Sequence, residues 1–266
     1  MSSPFVQARL EGHIATVTLN RPEALNAISG QVADELAGAL LQAAASLEAW
    51  VVVLAGAGDR AFCAGADLKE RGGLDDAGWL RNRALMRSLF DTLRALPQPT
   101  IASVFGHALG GGFELALCCD LIVCSDDAVF GLPEVRVGIL PGGGGTQLLA
   151  RRVGLSRAKD LILTGRRISG REAVDIGLAA RVVERDRLAA ATMELAREIC
   201  RSSPVAVREA KRAIDRAFDL PLEAGIEIED LAWRRAVASA DRREGIAAWG
   251  EKRDPRWTGQ IGRAHV

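Results

Sequence analysis

The stretch Gly106-His-Ala-Leu-Gly-Gly-Gly-Phe-Glu-Leu-Ala-Leu-Cys-Cys-Asp120 sets three consecutive glycines directly before an apolar run of helical character, with one acidic residue, Glu114, near its start. Gly110, Gly111 and Gly112 open backbone dihedrals closed to other residues and let a ligand approach bare peptide groups. A helix that begins there leaves its first amides without intrahelical partners, and these carry the positive end of the macrodipole. An anion or a developing oxyanion is welcome at such a start. Glu114 falls on the first turn, where its charge can serve the helix or a substrate. A glycine-rich turn before a helix-favouring glutamate is the plain alternative, and the stretch alone does not separate the two.

Immediately upstream, Thr100 to Val104 (TIASV) reads as a short strand leading straight into the glycines. The same order occurs earlier. Trp50 to Ala55 (WVVVLA) has the unbroken apolar character of a strand buried on both faces, and after it comes a loop of small residues, Arg60 to Lys69. His13 to Leu19 alternates as a half-buried strand, and Val32, Leu36, Leu40 and Leu47 recur at helical spacing behind a Ser29 cap. A helix followed by a buried strand suggests a crossover unit of an α/β fold. A polar helix is expected from Asp75 to Leu96, stopped by Pro97-Gln98-Pro99, with strands at Leu121 to Cys124 and Ala128 to Phe130 on either side of an Asp126-Asp127 turn.

Downstream, Leu132-Pro-Glu-Val-Arg-Val-Gly-Ile-Leu-Pro-Gly-Gly-Gly-Gly-Thr146 holds a second acidic residue, Glu134, and a second glycine cluster before a helix. The cluster lacks the lysine of a Walker loop, and the chain lacks the strand and acidic residue that a dinucleotide fingerprint requires. From Ser156 onward the pattern is almost wholly helical. Ser169-Gly170-Arg171-Glu172 reads as a capping box closed by Gly177, and Pro204 and Pro221 fit the first turns of two later helices. The simplest division is a mixed α/β body over residues 1–200 and a helical extension over 201–266.

Composition narrows the chemistry. Of 266 residues, 34 are Lys or Arg and 34 Asp or Glu, so net charge is zero and gives no reason to expect a polyanionic partner. Arg151-Arg152 and Arg166-Arg167 form the densest basic cluster, readable as a phosphate-facing or nucleic-acid patch or, with greater weight, as a solvated helix face. Five cysteines without a CxxC pair suit buried reduced thiols and a reducing compartment, and no apolar run reaches membrane-spanning length. The N-terminal residues lack the pattern of a signal peptide, so a cytoplasmic protein is expected. His13, His107 and His265 lack metal-ligand spacing, and there is no GxSxG elbow, so neither a metal site nor acyl transfer is expected. What remains is two glutamates, each beside glycines. Such a pair can act on one water as base and acid if their environments separate their pKa values. Amides from two loops can hold a carbonyl oxygen as it becomes an enolate, each worth on the order of 3 kcal/mol.

Five segments together resemble the enoyl-CoA hydratase/isomerase (crotonase) superfamily: Asn20-Arg-Pro-Glu-Ala-Leu-Asn-Ala-Ile28, Ala61-Phe-Cys-Ala-Gly-Ala-Asp-Leu-Lys69, Gly110 to Asp120, Pro133-Glu134 with Pro141 to Thr146, and Asp241-Arg-Arg-Glu-Gly-Ile-Ala-Ala-Trp-Gly-Glu-Lys-Arg253. The resemblance runs from about residue 5 to 258. It implies a crotonase-like spiral of ββα units with a helical C-terminal oligomerisation extension, assembled as a homotrimer or homohexamer. It also implies reversible syn addition of water to a 2-enoyl-CoA, with Glu114 and Glu134 as catalytic pair and the Ala66 and Gly111 amides as oxyanion hole. Coenzyme A enters as part of the substrate, with no tightly bound cofactor. By the same resemblance it is bound around Ala24, Leu25, Asn26, Ala64, Asp67, Leu68 and Lys69, and by Trp233 and Lys252 of a neighbouring subunit. The loops look most like the methylglutaconyl-CoA hydratase branch, which includes a member that binds RNA. The alternatives left open are that hydratase, an isomerase or acyl-CoA hydrolase of the same fold, and an RNA-binding protein. The absence of Lys and Arg between Ser29 and Leu47 argues against the last.

Overall fold

The run Val51-Val-Val-Leu54 is apolar at every position because it faces two cores: Val52 and Leu54 belong to one, Val51 and Val53 to the other. The computed structural model describes residues 5–260, and His265 lies outside them. The strands are β1 (Val6–Glu11), β2 (Ile14–Leu19), β3 (Val51–Gly56), β4 (Ala61–Cys63), β5 (Thr100–Val104), β6 (His107–Leu109), β7 (Leu121–Ser125), β8 (Val129–Gly131), β9 (Arg167–Ser169) and β10 (Arg181–Val183). They form a six-stranded sheet in the order β1-β2-β3-β5-β7-β10 and a four-stranded sheet in the order β4-β6-β8-β9. The helices are α1 (Gly30–Ala45), α2 (Leu68–Arg71), α3 (Asp76–Arg94), α4 (Gly111–Cys118), α5 (Gly145–Val153), α6 (Leu155–Thr164), α7 (Gly170–Asp175), α8 (Leu188–Cys200), α9 (Pro204–Ile214), α10 (Leu222–Val237) and α11 (Ala240–Glu251).

A repeat organises these elements. β3, β5 and β7 lie side by side in the first sheet, and each hands the chain to β4, β6 or β8 in the second before a helical segment follows. Both sets pair in parallel, β3-β5-β7 and β4-β6-β8. The segments that leave β4, β6 and β8 therefore emerge at one end of the small sheet. They are Ala64–Asp67, Gly110–Gly111 and Leu132–Glu134. On the other face of the large sheet, Leu188, Ala191, Leu195 and Ala196 of α8 complete the second core.

Several expectations need correction. The helix behind Ser29 ends at Ala45, so Leu47 is exposed, whereas Val32, Leu36 and Leu40 are buried as their spacing requires. The region after Ser156 is not wholly helical: β9 and β10 close the edges of the two sheets. Ser169 caps α7 by accepting from Glu172 N–H, but the Glu172 carboxylate turns to Arg166 at 2.9 Å. Pro221 precedes α10 as its cap residue and does not stand within its first turn. The arginine cluster is also no shared basic face. Arg151 pairs with Asp219, Arg166 with Asp160 and Glu172, and Arg152 turns inward to main-chain carbonyls.

The C-terminal helices are tied to the body through Asp120, which follows α4. Its Oδ2 accepts from Thr100 N at 2.7 Å and from Thr100 Oγ1 at 2.9 Å, and its Oδ1 accepts from Lys211 Nζ of α9. Both charged side chains are mostly removed from water, at 11% exposure for Lys211 and 24% for Asp120. Removing Asp120 leaves the Lys211 cation with only the more distant Asp215 carboxylate, at 3.5 Å, and orphans the Thr100 amide. Asp120→Ala is expected to lower stability in urea unfolding by about 3 kcal/mol, and Lys211→Met by less, because methionine leaves no unpaired charge on its own side.

Candidate active site

Parallel pairing of β4, β6 and β8 brings three loops together, and their backbones interlock. Gly110 N–H donates to Gly131 O at 2.8 Å, joining the ends of β6 and β8. Gly110 takes φ +53°, as its place in the opening motif anticipates, and its neighbour Gly112 is needed for a different reason. A methyl group there would lie 2.0 Å from Cys63 O, so α4 sits directly on the end of β4. Ile28 bridges to the third loop, with Ile28 N–H on Gly65 O at 2.8 Å and Asp67 N–H on Ile28 O at 3.0 Å. Ala66 and Gly111 are thereby neighbours: a methyl on Gly111 would lie 3.7 Å from Ala66 N.

The segments expected to hold a nucleotide thioester also meet, since Ala64 N–H donates to Leu25 O at 3.0 Å. Two of their side chains serve the scaffold. Asn26, buried, accepts from Arg21 N–H and donates to Ala57 O and Ala61 O. Asp67 caps α2 through Lys69 and Glu70 N–H and pairs with Arg21 at 2.6 Å, and the guanidinium holds its carboxyl below the usual range. Ala24, Leu68 and Lys69 lie on the same two segments. Trp233 and Lys252 are exposed on the C-terminal helices, and none of the described contacts ties them to this site.

Glu114 and Glu134 come from different elements. Glu114, on the first turn of α4, is 3% exposed, and its Oε1 accepts from Gly143 N at 2.6 Å and Gly145 N at 2.8 Å. Burial raises its pKa above the ordinary value, and these amides hold back part of that rise. Glu134 stands in the 3-10 turn Pro133–Val137, where a methyl on Gly110 would come within 3.1 Å of its Oε1. Its Oε2 is buried and has no hydrogen-bond partner among the described residues. Burial, reinforced by the charge of Glu114, raises the Glu134 pKa to about 7. One carboxylate is thus held by two amides and the other keeps a proton near neutral pH. Facing one water, they can accept and deliver a proton while the adjacent amides steady an oxyanion. No cluster of metal-ligating side chains is found among the described residues.

Four contributors escaped the motif reading. The Gly143 and Gly145 amides belong to a cluster that the sequence marks as glycine-rich, but nothing local assigns them to Glu114. Arg71 and Arg83 also act on the carboxylates, Arg71 on both and Arg83 on Glu114. Arg71 donates to Asn82 Oδ1 at 3.1 Å and lies 5.4 Å from the Trp79 ring. In a chain so rich in arginine, no sequence signal distinguishes these two.

Known proteins resemble this chain in sequence and fold. Residues 9–260 match the family model described as enoyl-CoA hydratase/isomerase. The putative enoyl-CoA hydratase/isomerase YngF of Bacillus subtilis is 44% identical over 241 residues, covering 91% of this chain and 93% of its own. The short-chain-enoyl-CoA hydratase of Clostridium acetobutylicum is 39% identical over 243 residues, again 91% and 93% of the two chains. The crystal structure of an enoyl-CoA hydratase from Bacillus anthracis superposes with a TM-score of 0.94 at 40% identity, covering 96% of this chain and 100% of that one.

The Glu134 environment has a consequence for stability. Its folded pKa of about 7 lies above the ordinary 4.5, so the folded state holds a proton that the unfolded chain releases between these values. The contribution is complete below about pH 4.5 and is lost as pH rises through 7. Glu134→Gln, which cannot ionise, is therefore expected to melt above wild type at pH 8, by on the order of 3 °C after allowing for solvent screening. The gap should close as pH falls to 4.5, as measured by thermal unfolding across pH.

Proposed function

The chain belongs to the enoyl-CoA hydratase/isomerase family and is an enzyme of the enoyl-CoA hydratase kind, and on that premise we propose that Glu114 and Glu134 carry out the addition of water. The thioester oxygen of a 2-enoyl-CoA lies between the Ala66 and Gly111 amides. Glu114 takes a proton from water as its oxygen bonds to C3. The double-bond electrons move onto the thioester oxygen as an enolate, steadied by the two amides and the start of α4. Glu134 then delivers a proton to C2 as the enolate collapses, which completes syn addition. The asymmetry of the two carboxyls is the observation that carries this reading. Burial raises the pKa of both, but two amides hold back part of the rise at Glu114, whereas burial keeps Glu134 protonated up to about pH 7. They titrate as a coupled pair.

Coenzyme A is proposed to run along the joined segments Ala24–Asn26 and Ala64–Lys69, with Trp233 and Lys252 contributed by a neighbouring copy. A homotrimer or homohexamer built through the extension from residue 201 fits the apolar side chains exposed there, among them Phe218, Leu222, Ile226, Trp233 and Trp249. The reading extends to fatty-acid β-oxidation in the cytoplasm, supported by five free cysteines. No helix of the described residues is long and apolar enough to cross a membrane. Nucleic acid is left out of the proposal, because the partners of Arg151, Arg152 and Arg166 remove the basic patch that would support it.

Loss of enoyl absorbance with crotonyl-CoA tests the assignment. Wild type is expected to hydrate it, and Glu114→Gln and Glu134→Gln each to lose about a hundredfold or more in kcat. Full activity in either variant would sink the two-carboxylate mechanism.

A further inference from the structure

Arg152 is a half-buried guanidinium for which the reaction has no use. Near the end of α5, its Nη2 donates to Leu117 O at 3.1 Å and to Cys119 O. These carbonyls belong to the last turn and the cap of α4, where a helix has no N–H of its own left to satisfy them. The other end of α5 also holds α4. Gly145, its first residue, donates its N–H to Glu114 Oε1 at 2.8 Å. The two helices therefore lie alongside each other, start to start and end to end, with α5 gripping α4 at both ends. Everything α4 offers to the chemistry, Gly111 and Glu114, sits in the first turn of an eight-residue helix. A helix of two turns is about 12 Å long, so a slip of its far end passes to its near end with little to absorb it. Asp120, held by Thr100 and Lys211, fixes the chain just beyond.

We propose that Arg152 is a positioning residue for hydration: by clamping the C-terminal carbonyls of α4 to α5, it sets where the Gly111 amide and the Glu114 carboxylate stand relative to the Gly143 and Gly145 amides. The guanidinium suits the task, because its Nη2 carries two N–H donors that reach two carbonyls at once and its charge complements a helix C-terminus. It never touches substrate, and its effect passes through α4. This role replaces the phosphate-facing patch that the Arg151-Arg152 pair suggests in sequence.

The inference rests on the hydratase reading, and steady-state hydration of crotonyl-CoA across pH tests it with wild type, Arg152→Met and Arg152→Lys. Arg152→Met is expected to lower kcat per folded enzyme about tenfold or more, with KM within about twofold. Its kcat–pH profile should move, because Glu114 loses its set distance from the Gly145 amide. Arg152→Lys, which still donates to the carbonyls, should recover much of the loss and return the profile toward wild type. A purely structural role predicts a lower melting temperature with unchanged kcat per folded molecule and an unmoved profile, and that result overturns the proposal. If Arg152→Met gives no folded protein, Arg152→Gln, which loses the charge and the full reach of the side chain, is read in its place: a lowered kcat with a displaced profile supports the clamp, and wild-type values for both overturn it. A wild type that hydrates nothing overturns the hydratase reading and the clamp together, whereas an active wild type matched by both variants overturns the clamp alone.

Discussion

Parallel pairing of β4, β6 and β8 is the constraint on which the rest of the structure depends. Parallel strands release their chains at the same end, so the Ala64–Asp67 loop, the start of α4 and the turn bearing Glu134 emerge side by side from strands of three residues each. Each of these strands follows a long buried strand of the larger sheet, which fixes its place. The larger sheet is held on both faces, by α1, α3 and α4 on one core and by α8 on the other. The site is thus built on the rigid end of a small sheet, while its chemistry comes from the loops. Gly110 and Gly112 make the close spacing possible, one by its backbone angle and the other by having no side chain over Cys63 O.

Within that frame, two carboxyl groups of the same kind acquire different characters. Glu114 is almost fully buried, which raises its pKa above the ordinary value, and two amides of the second glycine cluster hold back part of that rise. Glu134 is less buried and has nothing equivalent at its Oε2, and it also feels the charge of Glu114. Local donors make the difference. Arg71 and Arg83 add positive charge around the pair without forming a direct ion pair with either carboxylate among the described residues. The whole arrangement hangs on the placement of α4, which is gripped from α5, from β4 and, through Asp120, from α9.

Much of the fold was legible in the sequence, and where legibility failed the reasons are physical. Val32, Leu36 and Leu40 announce α1 through their spacing, and Ser29 caps it as expected, whereas Asp75, expected to begin its helix, stands as the cap of α3. The limits of those helices were less visible, since Leu47 continues the apolar spacing although the chain has already left α1 at Ala45. β4, β6, β9 and β10 were not read, since three residues hold barely one period of alternation; β8, equally short, was read beside the Asp126-Asp127 turn that precedes it. β1 escaped for another reason: five of its six residues are exposed, and it is recognised only through its antiparallel register with β2. The arginine cluster shows the opposite failure. Arg151 and Arg152 are adjacent in sequence, yet one meets Asp219 on the surface and the other meets main-chain carbonyls inside.

The sequence by itself determined what lies within one turn or one strand: the glycine opening of α4 with Glu114 three residues after Gly111, the double-faced apolar strands, the caps, and the five segments that resemble the hydratase family. Those features depend on neighbours a few residues apart, and periodicity and residue type report on such distances. Tertiary structure alone decided which distant groups meet. Glu114 finds its amide donors 29 and 31 residues away, and the carbonyls at the end of its helix find Arg152 at 35 and 33. Such partners are chosen by the parallel registry of short strands and by the packing of α5 along α4. Neither leaves a periodic trace in the chain, because both are set by the shape of the buried core.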